Sequence, residues 1–423
     1  MTTAHAPAAG TFALGGPVQR RTMVVLIVMQ IIGTVGVGVA PSIGVLLAGE
    51  VTDNEAWAGL ARSASTLGAA FLGIPLGNVA ARFGRRVALS SGWFIAAVGA
   101  ALLVWAAQLS LVVPLFIGLL LIGSGSAVSL QARFAATDLA EPHQKAKSLA
   151  LVVWVGTIGS VLGPNLGVPG EIISVHTGLT VYASAFLITA LCLAVAGLIV
   201  FAMLRPDPLL LLQANMPTIP RAGVRKGRIR RVLDELRVNR RARYAVLAIL
   251  TAQVVMVAIM TMTPVHVAHH GGSITIIGIT ISLHIAGMYA LAPVVGIIAD
   301  RFGHRAAIII GIAILAASLV IAALAPDDTV GIILSLILLG VGWSFVNVAG
   351  SALFSSVISD ETRASSQGGV DALSNLCGAV AALGAGPLLA VSSFPMLAAV
   401  AVVLLLPLAL LTFTQRKDMF LAS

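Results

Sequence analysis

The strongest constraint on the fold is a series of twelve long, mostly apolar runs along the chain. Each run holds roughly 20 residues, the length that crosses the hydrocarbon core of a bilayer as an α-helix. Charged residues make up only 10% of the 423 residues, whereas soluble proteins carry about 25%. The sequence therefore predicts an all-α membrane protein. The predicted helices are residues 22–48, 56–79, 87–107, 112–135, 148–168, 179–204, 244–266, 275–298, 307–325, 331–356, 366–390 and 396–414.

The distribution of basic residues predicts how these helices are oriented. Lysine and arginine collect in the cytoplasmic loops of membrane proteins. If the N-terminus is cytoplasmic, 24 of the 25 lysines and arginines lie in cytoplasmic segments or at inner helix ends, and Arg62 is the exception. We therefore expect both termini in the cytoplasm. This placement also accounts for the net charge of +9 without a nucleic-acid partner. The Ala-, Val- and Gly-rich composition favours the inner membrane of a bacterium.

The runs divide into six and six around a polar, basic stretch. Residues 1–21 lack the short apolar core and cleavage site of a signal peptide and are predicted to be a cytoplasmic tail. Two six-helix bundles are predicted over residues 22–204 and 244–414, with a linker over 205–243 and a second cytoplasmic tail over 415–423.

The linker contains a pattern typical of an amphipathic helix. Ile229, Val232, Leu233 and Leu236 recur at the spacing of one helix face, among many basic residues. A helix that lies on the anionic inner leaflet fits this pattern. A solvated linker without a preferred surface is the alternative.

The two halves carry an internal repeat. The segments GNVAARFGRRVAL, from Gly77, and GIIADRFGHRAAI, from Gly296, are identical at seven of thirteen positions and lie 219 residues apart. A second repeat is a glutamine followed eleven residues later by a proline in the first helix of each half, Gln30 and Gln253. The repeats predict a duplicated six-helix unit, with the substrate site between the halves near the bilayer midplane.

The pattern G-x-x-x-D-R-F-G-x-R, between the second and third helices of each half, resembles the signature of the major facilitator superfamily. The resemblance covers the whole chain and implies two pseudo-symmetric bundles that transport a small molecule by alternating access, as a monomer without a cofactor. In the family the aspartate of this motif closes the inner gate against a helix N-terminus of the other half. Asp300 keeps that residue, but Ala81 replaces it in the first copy. The matching gating residues are Gly77, Arg82, Gly84, Arg86, Asp300, Arg301, Gly303 and Arg305.

A glycine pattern in the fifth run resembles a motif of family members that exchange drugs or metabolites for protons. It consists of Gly159, Gly163, Pro164 and Gly167, and the resemblance implies export. Ordinary close packing of helices through small residues is the alternative. An arginine that such proteins often carry in the fourth helix is absent, since Leu119 stands near that place.

Asp371 is the one acidic residue that the predicted topology places inside a run. Charged groups within a bilayer are costly and are functional candidates. Since a carboxyl group there can bind and release a proton, we predict that Asp371 couples transport to protons. A structural role, in a pair with Arg133 or in hydrogen bonds to nearby Ser and Asn, is the alternative.

Other polar residues of the runs are predicted to line a substrate cavity, namely Gln30, Arg62, Gln253, His284 and Asn347. Each has a structural alternative. Arg62 can pair with Glu50, Asp53 or Glu55, the glutamines can bridge helices, and a lone histidine is often a packing residue.

The sequence predicts neither a metal site nor an enzyme. His266, His269 and His270 lie at a helix end, but no third ligand with suitable spacing accompanies the adjacent pair. No catalytic cluster or H-E-x-x-H motif occurs in the runs. The leading hypothesis is proton-coupled export of small amphipathic molecules by alternating access. An uptake symporter or a facilitator of the same fold is the alternative.

Overall fold

The computed structural model describes residues 14–54, 56–215, 236–237, 239–358 and 360–414, except the side chains of Pro142, Ala146 and residues 360–365. The described chain is helical almost throughout, which confirms the predicted all-α class. Its α-helices are Pro17–Val37, Val45–Thr52, Ala56–Leu109, Val112–Asp138, Lys145–Leu162, Gly167–Thr177, Val181–Met203, Pro208–Asn215, Arg240–His269, Ile274–Tyr289, Ala292–Phe302, His304–Leu324, Thr329–Val357, Asp360–Val391 and Phe394–Thr414.

These helices form twelve membrane spans. Eleven helical stretches of the described chain are long and apolar enough to cross a bilayer. One of them, Ala56–Leu109, has 54 residues and measures about 80 Å at 1.5 Å per residue, more than twice the roughly 30 Å of a hydrocarbon core. It bends at Gly84, whose φ of 88° and ψ of 172° are not helical, and so it supplies two spans.

We number the spans 1 to 12 in chain order, with spans 2 and 3 before and after Gly84. Three spans consist of two helical segments. Span 1 changes at a π-turn over Ala40–Gly44, span 5 at a 3-10 turn over Gly163–Leu166, and span 8 between Tyr289 and Ala292. The chain alternates direction, so the bends at Gly84 and Gly303 lie at the same end of the bundle. We call this end the basic face and the other end the far face.

Each half has its own apolar core. In the first half the largest fully buried side chains include Trp93 and Phe186, and in the second half Phe354 and Phe394. Span 1 packs against spans 4, 5 and 6, and span 7 against spans 10, 11 and 12. Side-chain caps begin several spans, because they bind backbone N–H groups that a helix start leaves unpaired. These caps are Thr180, Asn239, Ser273 and Asp328.

The halves meet mainly through span 2 with span 11 and span 5 with span 8. Both contacts include close backbone approaches near the far face, at Gly59 and at Gly278. Towards the basic face the helices separate. A Cβ atom added to Gly77, Gly296 or Gly368 would meet no heavy atom within 4 Å. The structure is therefore closed at the far face and open at the basic face.

Several sequence predictions fall outside the described residues. They are the cytoplasmic tails over residues 1–13 and 415–423 and most of the linker, including Ile229, Val232 and Leu233 of the predicted amphipathic helix. The described part of the linker contains the helix Pro208–Asn215, and span 7 begins at Arg240, four residues before the predicted start.

Candidate functional site

Asp371 lies in span 11, in the part of this helix near the basic face. Its side chain is exposed and belongs to the wall of a cavity of about 220 Å³, which Gln367 and Ser351 also line. Arg133, on span 4 of the other half, acts on this carboxylate electrostatically. The backbone carbonyl of Asp371 accepts a hydrogen bond from Asn375. The structure thus places the predicted coupling residue at a cavity, within electrostatic range of an arginine of the other half.

Arg62 lies in span 2, between two points where this helix contacts span 11. It lies near Tyr289 and His284 of span 8 in the other half. Neither Glu50 nor Asp53 forms a salt bridge with it among the described residues, and Glu55 is not among them. The alternative of a pair with Glu50 or Asp53 is therefore wrong for this conformation.

Gln30 and Gln253 bridge helices in equivalent places of the two halves. The Nε2 group of Gln30 donates to Ser129 Oγ of span 4 over 2.8 Å. In the second half, Trp343 of span 10 donates its indole N–H to Gln253 Oε1 over 2.9 Å. Gln30 is only 4% exposed, whereas Gln253 is half-buried. The hydrogen bonds favour the bridging alternative for Gln30 and leave part of Gln253 accessible.

His284 and Asn347 take part in contacts within the second half. His284 is completely buried, and its Nδ1 lies 2.8 Å from the carbonyl oxygen of Leu336 in span 10. This nitrogen must carry the proton, because a carbonyl oxygen only accepts. Its Nε2 atom has no hydrogen-bond partner among the described residues. Asn347 is half-buried and accepts a hydrogen bond from Ser351. His284 therefore connects spans 8 and 10, and Asn347 stays near the cavity of Asp371.

The first gating loop is held by two carboxylates. Arg85 forms a two-point ion pair with Asp138 of span 4, at 2.8 and 3.2 Å, and both side chains are largely buried. Asp207, which begins the helix Pro208–Asn215, accepts the backbone N–H of Arg86 over 2.7 Å and also those of Leu209 and Leu210. A Cβ atom on Gly84 would collide with its carboxylate. Sequence reasoning missed Asp207, although an Asp-Pro pair is a common helix start.

The second gating loop is more open. Gly303 has the same backbone bend as Gly84, with a φ of 86°. Arg305 donates to the carbonyl oxygen of Thr412 at the end of span 12 over 2.9 Å. Asp300 is exposed, as expected when the helices have separated at the basic face. Arg82 and Arg301, both exposed, each lie over the following phenylalanine ring.

The glycine pattern of span 5 packs this helix against its neighbours. Cβ atoms on Gly159 and Gly163 would collide with the backbone of span 1, and one on Gly167 would lie 2.8 Å from Ile274 of span 8. Pro164 lies in the 3-10 turn, and its carbonyl oxygen approaches Gly278. The packing alternative therefore accounts for all four residues.

Sequence reasoning missed a pair of matched hydrogen bonds near the far face. Ser63 of span 2 donates to the carbonyl oxygen of Ala379 in span 11 over 2.6 Å. Ser282 of span 8 donates to that of Val161 in span 5 over 2.5 Å, and Asn165 donates to Ser282 Oγ over 2.7 Å. Both serines join one half to the other.

A glycine stands four residues before each of these serines, Gly59 and Gly278, and lies against the backbone of the other half. The two Gly-x-x-x-Ser segments are 219 residues apart, the same offset as the gating loops. We call Gly59, Ser63, Gly278 and Ser282, together with their contacts, the far-face gate. The repeat offset is the sequence signal that could have revealed it.

The three histidines near the end of span 7 lie away from the interface between the halves. His270 Nε2 is 3.0 Å from Asp327, and His266 Nε2 is 2.7 Å from the carbonyl oxygen of Pro326. With His269 they line a cavity of about 490 Å³ at the far face. This group therefore stabilises loops of the second half.

The comparisons with known proteins agree with this architecture. The family model of the Major Facilitator Superfamily matches residues 24–273 and 245–419, which together span nearly the whole chain. The chain belongs to the Major Facilitator Superfamily. Its members are transporters, not enzymes, so this transporter is a multi-pass membrane protein with a small-molecule substrate.

Two relatives and one solved structure are similar to this transporter over most of its length. YddS of Bacillus subtilis, described as an uncharacterized MFS-type transporter, is 38% identical over 422 residues, covering 94% of this chain and 92% of that protein. The riboflavin transporter RfnT of Brucella anthropi is 29% identical, covering 92% and 96%. A bacterial homolog of the human lysosomal transporter Spinster, in an inward-facing and occupied conformation, has a TM-score of 0.74 at 14% identity, covering 96% and 99%. This last likeness shows the shared fold.

Proposed function

We propose that the chain is a secondary active transporter that exports small amphipathic molecules in exchange for protons. Its halves would rock around a central cavity, opening alternately at the basic face and at the far face. The observation that carries the proposal is Asp371, a carboxylate within a span that opens to the basic face and lies within electrostatic range of Arg133.

Asp371 meets the requirements of a proton carrier. An ionisable side chain inside the bilayer is costly unless it has a partner or reaches water, and it is usually retained for function. Asp371 lines a cavity near the basic face, and its charge interacts with Arg133 of the opposite half. Its protonation would therefore alter the attraction between the halves, which is the energetic link that coupled transport needs.

The basic residues support a placement in a bacterial inner membrane with both termini in the cytoplasm. With this orientation the basic face is cytoplasmic, since Arg82, Arg86, Arg301 and Arg305 all lie there. The conformation described above is then open to the cytoplasm. We further propose that the protein works as a monomer, because the transport pathway proposed here lies between the two halves of one chain.

The test uses inside-out vesicles with an imposed pH gradient. Cationic drugs, weak acids, sugars and riboflavin are added in turn, and proton release is followed for wild type and for Asp371→Asn. We expect at least one compound to dissipate the gradient through the wild type and not through the variant. Glu171→Gln, which removes an exposed carboxylate on span 5, should behave as wild type. Coupling that survives in Asp371→Asn refutes the role of this residue.

An uptake symporter or a facilitator is the second candidate, because the glycine pattern that resembles an export motif has a packing explanation. The contacts of Gly159, Gly163, Pro164 and Gly167 are accounted for by packing against spans 1 and 8, so these residues give no independent support for export. Transport direction distinguishes the candidates. Substrate accumulation inside right-side-out vesicles under an inward proton gradient indicates uptake. Accumulation inside inside-out vesicles with an acidic lumen indicates export in exchange for protons.

A further inference from the structure

Two arginines of the first half lie near the same residue of the second half. Arg62 of span 2 and Arg133 of span 4 are both within electrostatic range of the Tyr289 side chain of span 8. Tyr289 ends the first segment of span 8 and is half-buried, as are both arginines. Arg62 also lies next to Ser63, which binds span 11 of the other half. Both arginines are therefore near the interface between the halves, where the transport pathway of the proposed function runs.

These arginines lack the counter-charges that buried cations usually have. Among the described residues, neither guanidinium has a carboxylate within salt-bridge distance. Asp371 acts on Arg133 only from beyond that distance. An unpaired guanidinium within a membrane protein is costly. Its planar donors match the two oxygens of a carboxylate or phosphate group.

Tyr289 belongs to an aromatic pair. Tyr289 meets Trp343 of span 10 edge-on, with ring centroids 6.0 Å apart and an interplanar angle of 73°. The indole N–H of Trp343 is already bound by Gln253, so the polar atom of this side chain is satisfied and its orientation is fixed. Rings held in this way favour contact with another planar ring. The two arginines thus attract negative charge, and the aromatic pair near them offers a surface for flat apolar groups.

Resting on the proposed transport function, we propose that the substrate is an organic anion that carries its charge on an aromatic ring system. Arg62 and Arg133 bind the anionic group, and Tyr289 and Trp343 contact the ring. The inference concerns the substrate class alone and holds for either direction of transport.

The test compares four probes of nearly equal size for binding to the purified full-length protein in detergent, by isothermal titration. They are 2-naphthoate, its neutral amide, the cation 2-naphthylmethylammonium, and the saturated decahydro-2-naphthoate. We expect naphthoate to bind at least about tenfold more tightly than the amide, because charge-assisted hydrogen bonds to two guanidinium groups are lost in the amide. It should also bind more tightly than the saturated acid. This comparison needs only the wild type.

Variants then identify the residues that are responsible for the preference for an anionic, aromatic probe. Arg62→Gln and Arg133→Gln should each reduce the ratio between naphthoate and the amide severalfold, and Trp343→Leu should reduce that between naphthoate and the saturated acid. Arg243→Gln, which removes an exposed arginine at the start of span 7, is the matched control and should leave both ratios unchanged.

The proposal is overturned if the cation or the amide binds as tightly as naphthoate, if naphthoate does not bind, or if the ratios persist in all three variants. Binding is measured without a proton gradient, so its outcome is separate from that of the coupling experiment. Naphthoate transport that persists in Asp371→Asn would refute proton coupling through Asp371 and leave the substrate class standing.

Discussion

Replacing Gly59 by alanine should shift the transporter away from the conformation in which the far-face gate is closed. A Cβ atom at this position would overlap the carbonyl oxygen of Ala382 in span 11. It would also lie 3.0 Å from the carbonyl carbon of Ala382 and 3.2 Å from the backbone nitrogen of Gly386. All of these atoms belong to the backbone, so no side chain can rotate away and the helices themselves must separate.

The magnitude follows from the size of the inserted group. Adding a methyl group to a well-packed contact costs about 1–3 kcal/mol. Span 11 belongs to the other half, so the conflict exists only while the gate is closed and the whole cost falls on that state. A difference of this size changes the ratio of two conformations by about 5- to 150-fold. We therefore expect a change in population that spectroscopy can detect, with little loss of folding.

The assay measures the distance across the far face by electron paramagnetic resonance. Spin labels are placed at Val175 of span 5 and Val391 of span 11, which are 83% and 84% exposed, after Cys192 and Cys377 have been replaced by serine. Wild type should show mainly the short distance of the closed gate. Gly59→Ala should add a population at longer distance.

The matched control is Gly73→Ala on the same helix. Its added Cβ would lie 3.6 Å from the Cβ of Ala127, an ordinary contact, so its distance distribution should equal that of wild type. The reasoning is refuted if Gly59→Ala and wild type have the same distance distribution. It is also refuted if Gly73→Ala shifts the distribution as much as Gly59→Ala does.

Three further predictions concern named hydrogen bonds. Ser63→Ala and Ser282→Ala each remove a hydrogen bond between the halves, worth about 1 kcal/mol. Each variant should shift the distance distribution across the far face slightly, and the double variant should shift it more. If the double variant shows no shift, the two serines have no role in the gate. Arg85→Ala leaves Asp138 buried without its partner and should reduce stability by about 3–5 kcal/mol. Thermal unfolding in detergent measures this loss. Adding Asp138→Asn to the Arg85→Ala chain should restore part of the lost stability. An unchanged melting temperature in Arg85→Ala would count against a stabilising ion pair. Asp207→Ala removes the caps of two helices and should cost about 1–2 kcal/mol, with a smaller loss in Asp207→Asn; equal losses would show that the capping oxygens are not responsible.

The sequence predicts well those features that produce a recognisable pattern of residues along the chain. Long apolar runs predict the spans because a bilayer demands a fixed helix length. The repeated loop between the second and third helices of each half contains the two bends, where Gly84 and Gly303 have the positive φ that glycine alone adopts freely. The offset between the two loops predicts the two-fold organisation of the chain, which the equivalent bonds of Gln30 and Gln253 extend into the cores of both halves.

The features that the sequence did not reveal depend on partners far along the chain. Ser63 binds a carbonyl oxygen 316 residues away, and Arg86 binds a carboxylate 121 residues away. In a chain with 43 glycines, a glycine four residues before a serine does not stand out. The role of Gln30 was also undecided, since the same amide can line a cavity or bridge two helices. Only the position of Ser129 resolves this choice.

The acceptors of the far-face gate have a consequence for how the transporter can change during evolution. Ser63 and Ser282 bind main-chain carbonyl oxygens, at Ala379 and Val161, and every residue type offers such an oxygen. Substitutions of Ala379 and Val161 therefore preserve these two bonds as long as the helices can still approach closely, whereas the two serines on spans 2 and 8 must be retained. Halves from two diverged relatives, joined into one chimeric chain, should still close at this face.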